Sequence, residues 1–236
     1  NPKHAGQGFE ILRRAGIAVE VGIEAERAEE LNKAFFHRMR TGKPYVLLKM
    51  AMTLDGKIAT ASGESRWITG TAARKRVQQL RQWCDAIMVG GETARLDRPG
   101  LTVREPADWP CQPLKMVYGR MPEAELKALF PGPCEVRQAA PQTPEEWSDW
   151  LLALGREGMM ALLLEGGGEL AGRALAAGAV NEVEFHIAPL LLTGSGSRPV
   201  TGGCNPQSLA EAWKLDRLRV RRAGADLLVS GKILPR

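Results

Sequence analysis

The sequence predicts an α/β protein whose mostly parallel central sheet is flanked by helices and finishes in an antiparallel pair of strands. Three observations carry this expectation. Short runs rich in Val, Ile, Leu and Met alternate with segments of helical periodicity, the order that builds parallel strands joined by helices. Several of these runs are almost wholly apolar, as strands covered on both faces must be. The last two, residues 214–222 and 226–233, flank Ala223-Gly224 and read as a hairpin.

Taken in order, residues 5–15 have a helical pattern that Gly16 ends, and residues 17–23 carry the β-branched side chains of a short strand. This αβ unit has no parent sheet in the chain. Residues 24–40 read as a linker helix with Leu31, Ala34, Phe35 and Met39 on one apolar stripe, closed by Gly42 and Pro44. Residues 45–52 form a buried strand interrupted only by Lys49.

After a turn at Asp55-Gly56, residues 71–83 show helical spacing through Ala72, Val77 and Leu80. A strand follows at 86–89, then a short helix at 90–96 and another strand at 114–118. Thr143-Pro144-Glu145-Glu146 opens a helix with an N-cap Thr, a Pro at the first position and a Glu closing the capping box. Residues 159–164 are a buried strand running into Gly166-Gly167-Gly168 and a helix that reaches Ala177, and 183–187 form a further strand. Residues 106–113, 131–133 and 193–205 are loops by their Pro, Gly and polar content.

At 236 residues the chain accommodates one large domain, or one domain with a short extra segment, and the second organisation is expected here. Residues 1–42 form the extra segment and 43–236 the domain. A charged fraction of 25% beside 44% hydrophobic residues excludes disordered and fibrous classes. The net charge of +5 favours anionic partners, but the bases are interleaved with acids and form no aromatic-studded basic face. A small phosphorylated ligand suits that charge better than nucleic acid.

No apolar run approaches the roughly 20 residues of a membrane span, and the N-terminus is no signal peptide. Cys84, Cys111, Cys134 and Cys204 are too dispersed for a zinc knuckle or a disulfide framework and read as reduced thiols, which points to the cytosol. The start at Asn1 without Met suggests a fragment, a processed product or a truncated chain.

Four features bear on chemistry. Glu165-Gly166-Gly167-Gly168 lies between an apolar strand and a helix, where backbone N–H groups approach an anion without Cβ hindrance. The same glycines also serve a simple tight turn. A dinucleotide fingerprint is possible on paper as Gly166-x-Gly168-x-x-Ala171 with Glu184 on the ribose, although its late position in the chain argues against it. Lys49, inside a buried strand, must reach water or meet an acidic or phosphorylated partner.

Ser65-Arg66-Trp67 offers a hydroxyl, a cation and a flat apolar surface in one loop, suited to a nucleotide-like ligand or to packing alone. Arg81 and Arg104 bind phosphate or remain solvated. His4, His37 and His186 show no metal-ligand spacing, and no Gly-x-Ser-x-Gly elbow marks an acyl-transfer nucleophile, so the chemistry is expected to be a cofactor's.

Residues 49–59 (KMAMTLDGKIA), 62–69 (SGESRWIT), 90–93 (GGET), 97–104 (DRPGLTVR) and 165–167 (EGG) together resemble the reductase domain of the bifunctional riboflavin-biosynthesis deaminase/reductase family. Asn1-Pro2-Lys3 and Ala5-Gly6-Gln7-Gly8 resemble the end of that family's deaminase domain. The deaminase's His-x-Glu motif and Pro-Cys-x-x-Cys-like zinc site are both absent, so no deaminase activity is expected.

The resemblance implies a dihydrofolate-reductase-like fold, NADPH as cofactor, a phosphorylated ribosylamino-pyrimidine as substrate, hydride delivery to ribose C1′, and a homodimer. It places Ala51, Trp67, Thr93, Asp97, Gly167, Gly168, Glu169, Leu170, Ala171, Gly172 and Arg173 against NADPH. Ser65, Arg81, Leu101, Arg104 and Glu165 fall against the substrate, with Ser65 and the arginines on its phosphate. Lys49 and Glu165 are then substrate orienters or proton carriers, and Asp97 arranges the nicotinamide side. A related reductase of a pterin or another phosphoribosyl-pyrimidine, and a non-catalytic nucleotide-binding remnant, are the alternatives.

Overall fold

The computed structural model describes residues 6–133, 135–203 and 206–234. Three helices come first, α1 (Gln7–Arg14), α2 (Ala25–Leu31) and α3 (Lys33–Thr41). They are followed by β1 (Tyr45–Thr53), β2 (Lys57–Ala59), α4 (Thr71–Trp83), β3 (Ala86–Gly90), α5 (Gly91–Asp97) and β4 (Leu114–Tyr118). Next come α6 (Glu123–Leu129), β5 (Val136–Ala139), α7 (Pro144–Arg156), β6 (Ala161–Leu164) and α8 (Gly168–Ala176). The last elements are β7 (Glu182–Ala188), β8 (Arg198–Pro199), β9 (Leu215–Ala223) and β10 (Asp226–Ile233).

The main sheet has the order β5-β4-β3-β6-β1-β7-β10-β9. Neighbours from β5 to β7 are parallel, whereas β10 is antiparallel to both β7 and β9. The expected architecture is therefore present, with β1 near the centre. β1 is almost continuously apolar because both its faces are covered. Val46, Leu48 and Met50 join Trp147, Leu151 and Leu154 of α7 and Leu170 of α8, while Leu47 joins Leu80 of α4, Ala94 of α5 and Leu126 of α6. Tyr118 stacks on Trp147 with centroids 5.7 Å apart, and Trp150 meets Trp147 edge-on.

The N-terminal segment departs from expectation. Residues 17–23 form no strand, and Ile17, Val21 and Ile23 are exposed. β-branched residues suit a strand only where another strand supplies the ladder, and none does here. The predicted helix 24–40 is broken at Asn32 into α2 and α3, and Leu31, expected on the apolar stripe, is 76% exposed. α3 is tied to β7 by Lys33, paired with Glu182, and to α7 by Arg38 Nε, which donates to the Gly155 carbonyl at 3.0 Å. The first five residues, in which the resemblance to a deaminase end begins, lie outside the described residues.

β2, α6 and β5 were not anticipated, and the loop expected at 193–205 contributes β8, which pairs with β2. Cys84 is buried and Cys111 exposed, both as free thiols, whereas Cys134 and Cys204 fall outside the described residues. Among the described residues no helix is long and apolar enough to cross a membrane.

Candidate active site

The carboxyl ends of β1, β3, β4 and β6 open into a cleft of about 770 Å³. In parallel sheets this end collects loops and helix N-termini, and ligands bind there. β1 brings Lys49 and Ala51, β3 leads through Gly90 into Thr93 and Asp97 of α5, and β6 hands its chain to Glu165 and the glycine turn. The loop after β2 supplies Ser65 and Trp67, and α4 supplies Arg81.

The buried centre is ionic. Arg81 makes a bidentate pair with Glu165, with Nε to Oε1 and Nη2 to Oε2 both at 2.7 Å, and its Nη1 donates to the Thr102 carbonyl at 2.9 Å. Burial alone would raise the Glu165 carboxyl, but Arg81 and then Lys49 hold it below the ordinary carboxylate range. Burial pushes the Lys49 ammonium down, Glu165 and Glu184 pull it back up, and Arg81 adds to the depression.

Lys49 lies opposite Glu184 across β1 and β7, and Ala51 lies opposite His186. Because register partners in parallel strands share a face, these side chains sit together under α4. Arg76 of α4 grips Glu184 through Nε at 3.0 Å and Nη2 at 2.9 Å. His186 Nε2 lies 2.9 Å from Glu184 Oε1. Desolvation lowers His186 against the raising effect of its hydrogen bond to Glu184, and Lys49 and Arg76 lower it further; because a carboxylate only accepts, Nε2 carries the proton and donates to it. Its Nδ1 is then left without a partner among the described residues. This arrangement corrects the sequence-derived option that placed Glu184 on a ribose. Its carboxylate is buried and committed to Arg76 and His186.

The glycine turn forms the adjoining wall. Gly166 and Gly167 have φ of 95° and 82°, a region that side chains other than glycine's rarely enter. A Cβ on Gly168 would lie 2.6 Å from the Pro199 carbonyl, and one on Gly167 would lie 3.0 Å from Thr93 Oγ1. The chain therefore needs glycine for its fold here as well as for an open approach to the N-terminus of α8. That open backbone suits a pyrophosphate. Beside it, Ser65 Oγ donates to Asp97 Oδ1 at 2.8 Å, and Arg66 donates to the Asp97 carbonyl. Trp67 is 66% exposed, with Arg74 stacked 4.7 Å from its ring centroid, leaving a flat aromatic surface at the cleft. These residues fit a dinucleotide cofactor.

The cleft gathers Lys49, Ala51, Ser65, Trp67, Arg81, Thr93, Asp97, Leu101, Arg104, Glu165, Gly167, Gly168, Glu169, Leu170 and Arg173. It does not gather Ala171 and Gly172. Ala171 is fully buried in the core, and a Cβ on Gly172 would meet the Gly202 carbonyl at 2.1 Å, so both face the packing side of α8. Leu101 is fully buried at a φ of 48°, its side chain in the core beneath α4 and α5. Arg81, assigned by resemblance to a substrate phosphate, is here the ion-pair partner of Glu165. Sequence reasoning missed Arg74, Gln78, Arg120 and Arg198 as cleft residues. Arg120 had a usable signal, since it follows the end of a predicted parallel strand. Arg198 had none, because only the pairing of β8 with β2 carries it there. Among the described residues no group of three or more His, Cys, Asp or Glu side chains is arranged to hold a metal ion.

A family model described as the RibD C-terminal domain matches residues 44–229. The riboflavin biosynthesis protein RibD of Actinobacillus pleuropneumoniae is 38% identical over 261 residues, covering 97% of this chain and 67% of that protein. Acinetobacter baumannii RibD superposes with a TM-score of 0.80 at 30% identity over 97% of this chain and 69% of that one. A diaminohydroxyphosphoribosylaminopyrimidine deaminase/5-amino-6-(5-phosphoribosylamino)uracil reductase from Thermotoga maritima gives 0.78 at 25% identity, covering 96% of this chain and 67% of the other.

Proposed function

Because the chain belongs to the RibD C-terminal domain family, with its dihydrofolate-reductase-like fold, we propose that it reduces 5-amino-6-(5-phosphoribosylamino)uracil to the phosphoribitylamino product, using NADPH. It is a reductase of riboflavin biosynthesis. The observation that carries the finer reading is the meeting, in one cleft, of Lys49, the Arg81-paired Glu165 and the open glycine turn.

In this reading the nicotinamide supplies a hydride to C1′ of the ribosyl group once its ring has opened to an imine. Gly167 and Gly168 would hold the cofactor's pyrophosphate at the N-terminus of α8, and Trp67 and Ala51 would contact the cofactor beside them. Asp97, fixed by Ser65, holds that side of the cleft in place. Arg104 takes the substrate phosphate, and Ser65, whose hydroxyl proton goes to Asp97, borders it. Glu165, kept ionised by Arg81, orients the ribose hydroxyls, and Lys49 supplies the proton that the nitrogen on C1′ takes up as C1′ is reduced. The same family reading makes the protein a homodimer, and the exposed outer strand β9 supports this, because its free edge invites pairing with a second copy.

The test is titration of the chain with NADPH and with NADH, followed by turnover of the deaminated phosphoribosylamino-pyrimidine. NADPH binding with formation of the ribityl product is expected. Binding without turnover would point to a nucleotide-binding remnant, and turnover of a pterin alone to a related reductase.

A further inference from the structure

Arg76 and Arg81, both on α4, each hold a carboxylate of the sheet beneath. Arg81 makes its bidentate pair with Glu165 at the end of β6, and Arg76 makes a second with Glu184 on β7, whose side chain is only 3% exposed. β1 runs between those two strands. Its register sets Lys49 opposite Glu184, and the pairing of Leu48 with Leu164 puts Glu165 next in line on the other side. The Glu165 N–H donates to the Met88 carbonyl at 2.9 Å, so the chain keeps its strand course to that residue. Glu165, Lys49 and Glu184 therefore form one row across three strands about 4.8 Å apart, pointing to α4 with an arginine over each end.

Only part of this row meets the cleft. Lys49, Glu165 and Arg81 line it, whereas Glu184, His186 and Arg76 lie outside its lining. Lys49 makes no hydrogen bond or ion pair among the described residues, and a desolvated amine with nothing to offset burial gives up its proton. Glu165 is a single negative charge, already shared with Arg81. Without Glu184 the row would set three cations against one carboxylate.

We propose that Glu184 is a positioning residue for the reduction: fixed by Arg76 and by His186 Nε2 at 2.9 Å, it is the second carboxylate that keeps the Lys49 ammonium charged. The inference rests on the reading of Lys49 as proton donor and extends it to a group outside the cleft. Glu165 and Glu184 favour the protonated amine, and Arg81 opposes it. Arg76 enters by offsetting the charge of Glu184. His186 is held below its ordinary 6.5 chiefly by burial, so its own titration falls on the acid side. Cys84, at the end of α4, is pushed up by burial and stays a thiol. Asp226 of β10, on the same face of the sheet, accepts from the Gly70 N–H at 2.7 Å, and Asp97 and Arg104 face Lys49 from the cleft.

The experiment follows single-turnover hydride transfer from NADPH to the deaminated phosphoribosylamino-pyrimidine against pH. It compares the wild-type chain with Glu184→Gln, Arg76→Met and the double variant, with circular dichroism read at each pH. Loss of the carboxylate should move the alkaline fall in rate down by about 1 pH unit, and loss of Arg76 should move it up by a similar amount, the scale of one neighbouring charge. The double variant loses one charge of each sign and should return towards the wild-type position. KM for cofactor and substrate should stay within about twofold, since Glu184 touches neither. A purely structural role would move both single variants the same way and the double variant furthest; that result, or an unmoved fall in folded Glu184→Gln, overturns the proposal. Should Glu184→Gln fail to fold, Arg76→Met decides, an upward shift supporting the proposal and any other result overturning it. A wild-type chain that turns over with no alkaline fall removes Lys49 as donor and this inference with it, whereas no turnover at all overturns the proposed reduction itself.

Discussion

Lys49 owes its character to two neighbouring strands, since Glu184 is its register partner on β7 and Glu165 continues β6 on its other side. Its ammonium is desolvated and makes no hydrogen bond among the described residues, so it remains free to act on a ligand. Replacing Lys49 by Met or Glu165 by Gln should each slow single-turnover hydride transfer by about 10²-fold or more, the scale of a positioned proton donor or orienter, with native circular dichroism. Wild-type rates in both variants would remove these residues from the mechanism. A second consequence concerns pH. Burial lowers the Lys49 pKa, so a rate that needs the protonated amine should fall as pH rises, beginning below the ordinary lysine value of 10.5. The pH profile of kcat should move upward in Lys49→Arg, whose guanidinium stays charged. Lys49 was legible in the sequence because a lone charge in an apolar run has to be explained. Arg81's engagement with Glu165 was not, since 84 residues separate the pair and only the packing of α4 over β6 joins them.

At the scale of elements, local chemistry was read well wherever the element supplies its own reason to form. α4 and β10 occupy the residues their periodicity indicated, and α7 begins where its cap was read. Thr143 Oγ1 accepts from the Glu146 N–H at 3.2 Å, while the Glu146 carboxylate accepts from the Gln142 N–H at 2.6 Å, one residue earlier than a strict capping box requires. Thr143→Ala should therefore cost about 1 kcal/mol in denaturant unfolding with an unchanged m-value, and a cost near zero would show that the cap contributes nothing. Elements that depend on a partner were read poorly. Residues 17–23 have strand composition without a strand beside them, and β2 and β8 exist only because they pair with each other. The helix expected over residues 24–40 fails at Asn32, where φ is −111°, so that α3 reaches β7 through Lys33 and α7 through Arg38, while Glu30 of α2 pairs with Arg219 of β9 and Lys232 of β10.

For the molecule as a whole, the sheet is pinned to α4 by the Arg76–Glu184–His186 group, and this connection sets an acid limit on stability. Burial alone would raise Glu184, but hydrogen bonds from His186 and Arg76 hold its carboxyl at about 2, against 4.5 for an ordinary glutamate. The folded pKa is the lower one, so the stabilisation is complete above about 4.5 and is lost as pH falls towards 2. The melting temperature should drop across that window, and in Glu184→Gln it should start lower and vary less with pH; an identical pH dependence in the variant would exclude Glu184 as the source. The sequence by itself determined the fold class, the presence of a buried strand carrying Lys49, the glycine turn after β6 and, through linear motifs, the family. Those properties are local, since periodicity, caps, glycine runs and charges in apolar stretches act within a few residues. The tertiary structure decided which cations remain open, that Glu184 serves the core and leaves no ribose site, and that Ala171 and Gly172 face away from the cleft. Ion pairing and cleft lining depend on which strand ends the sheet order brings together, and that order is set by packing across the whole chain.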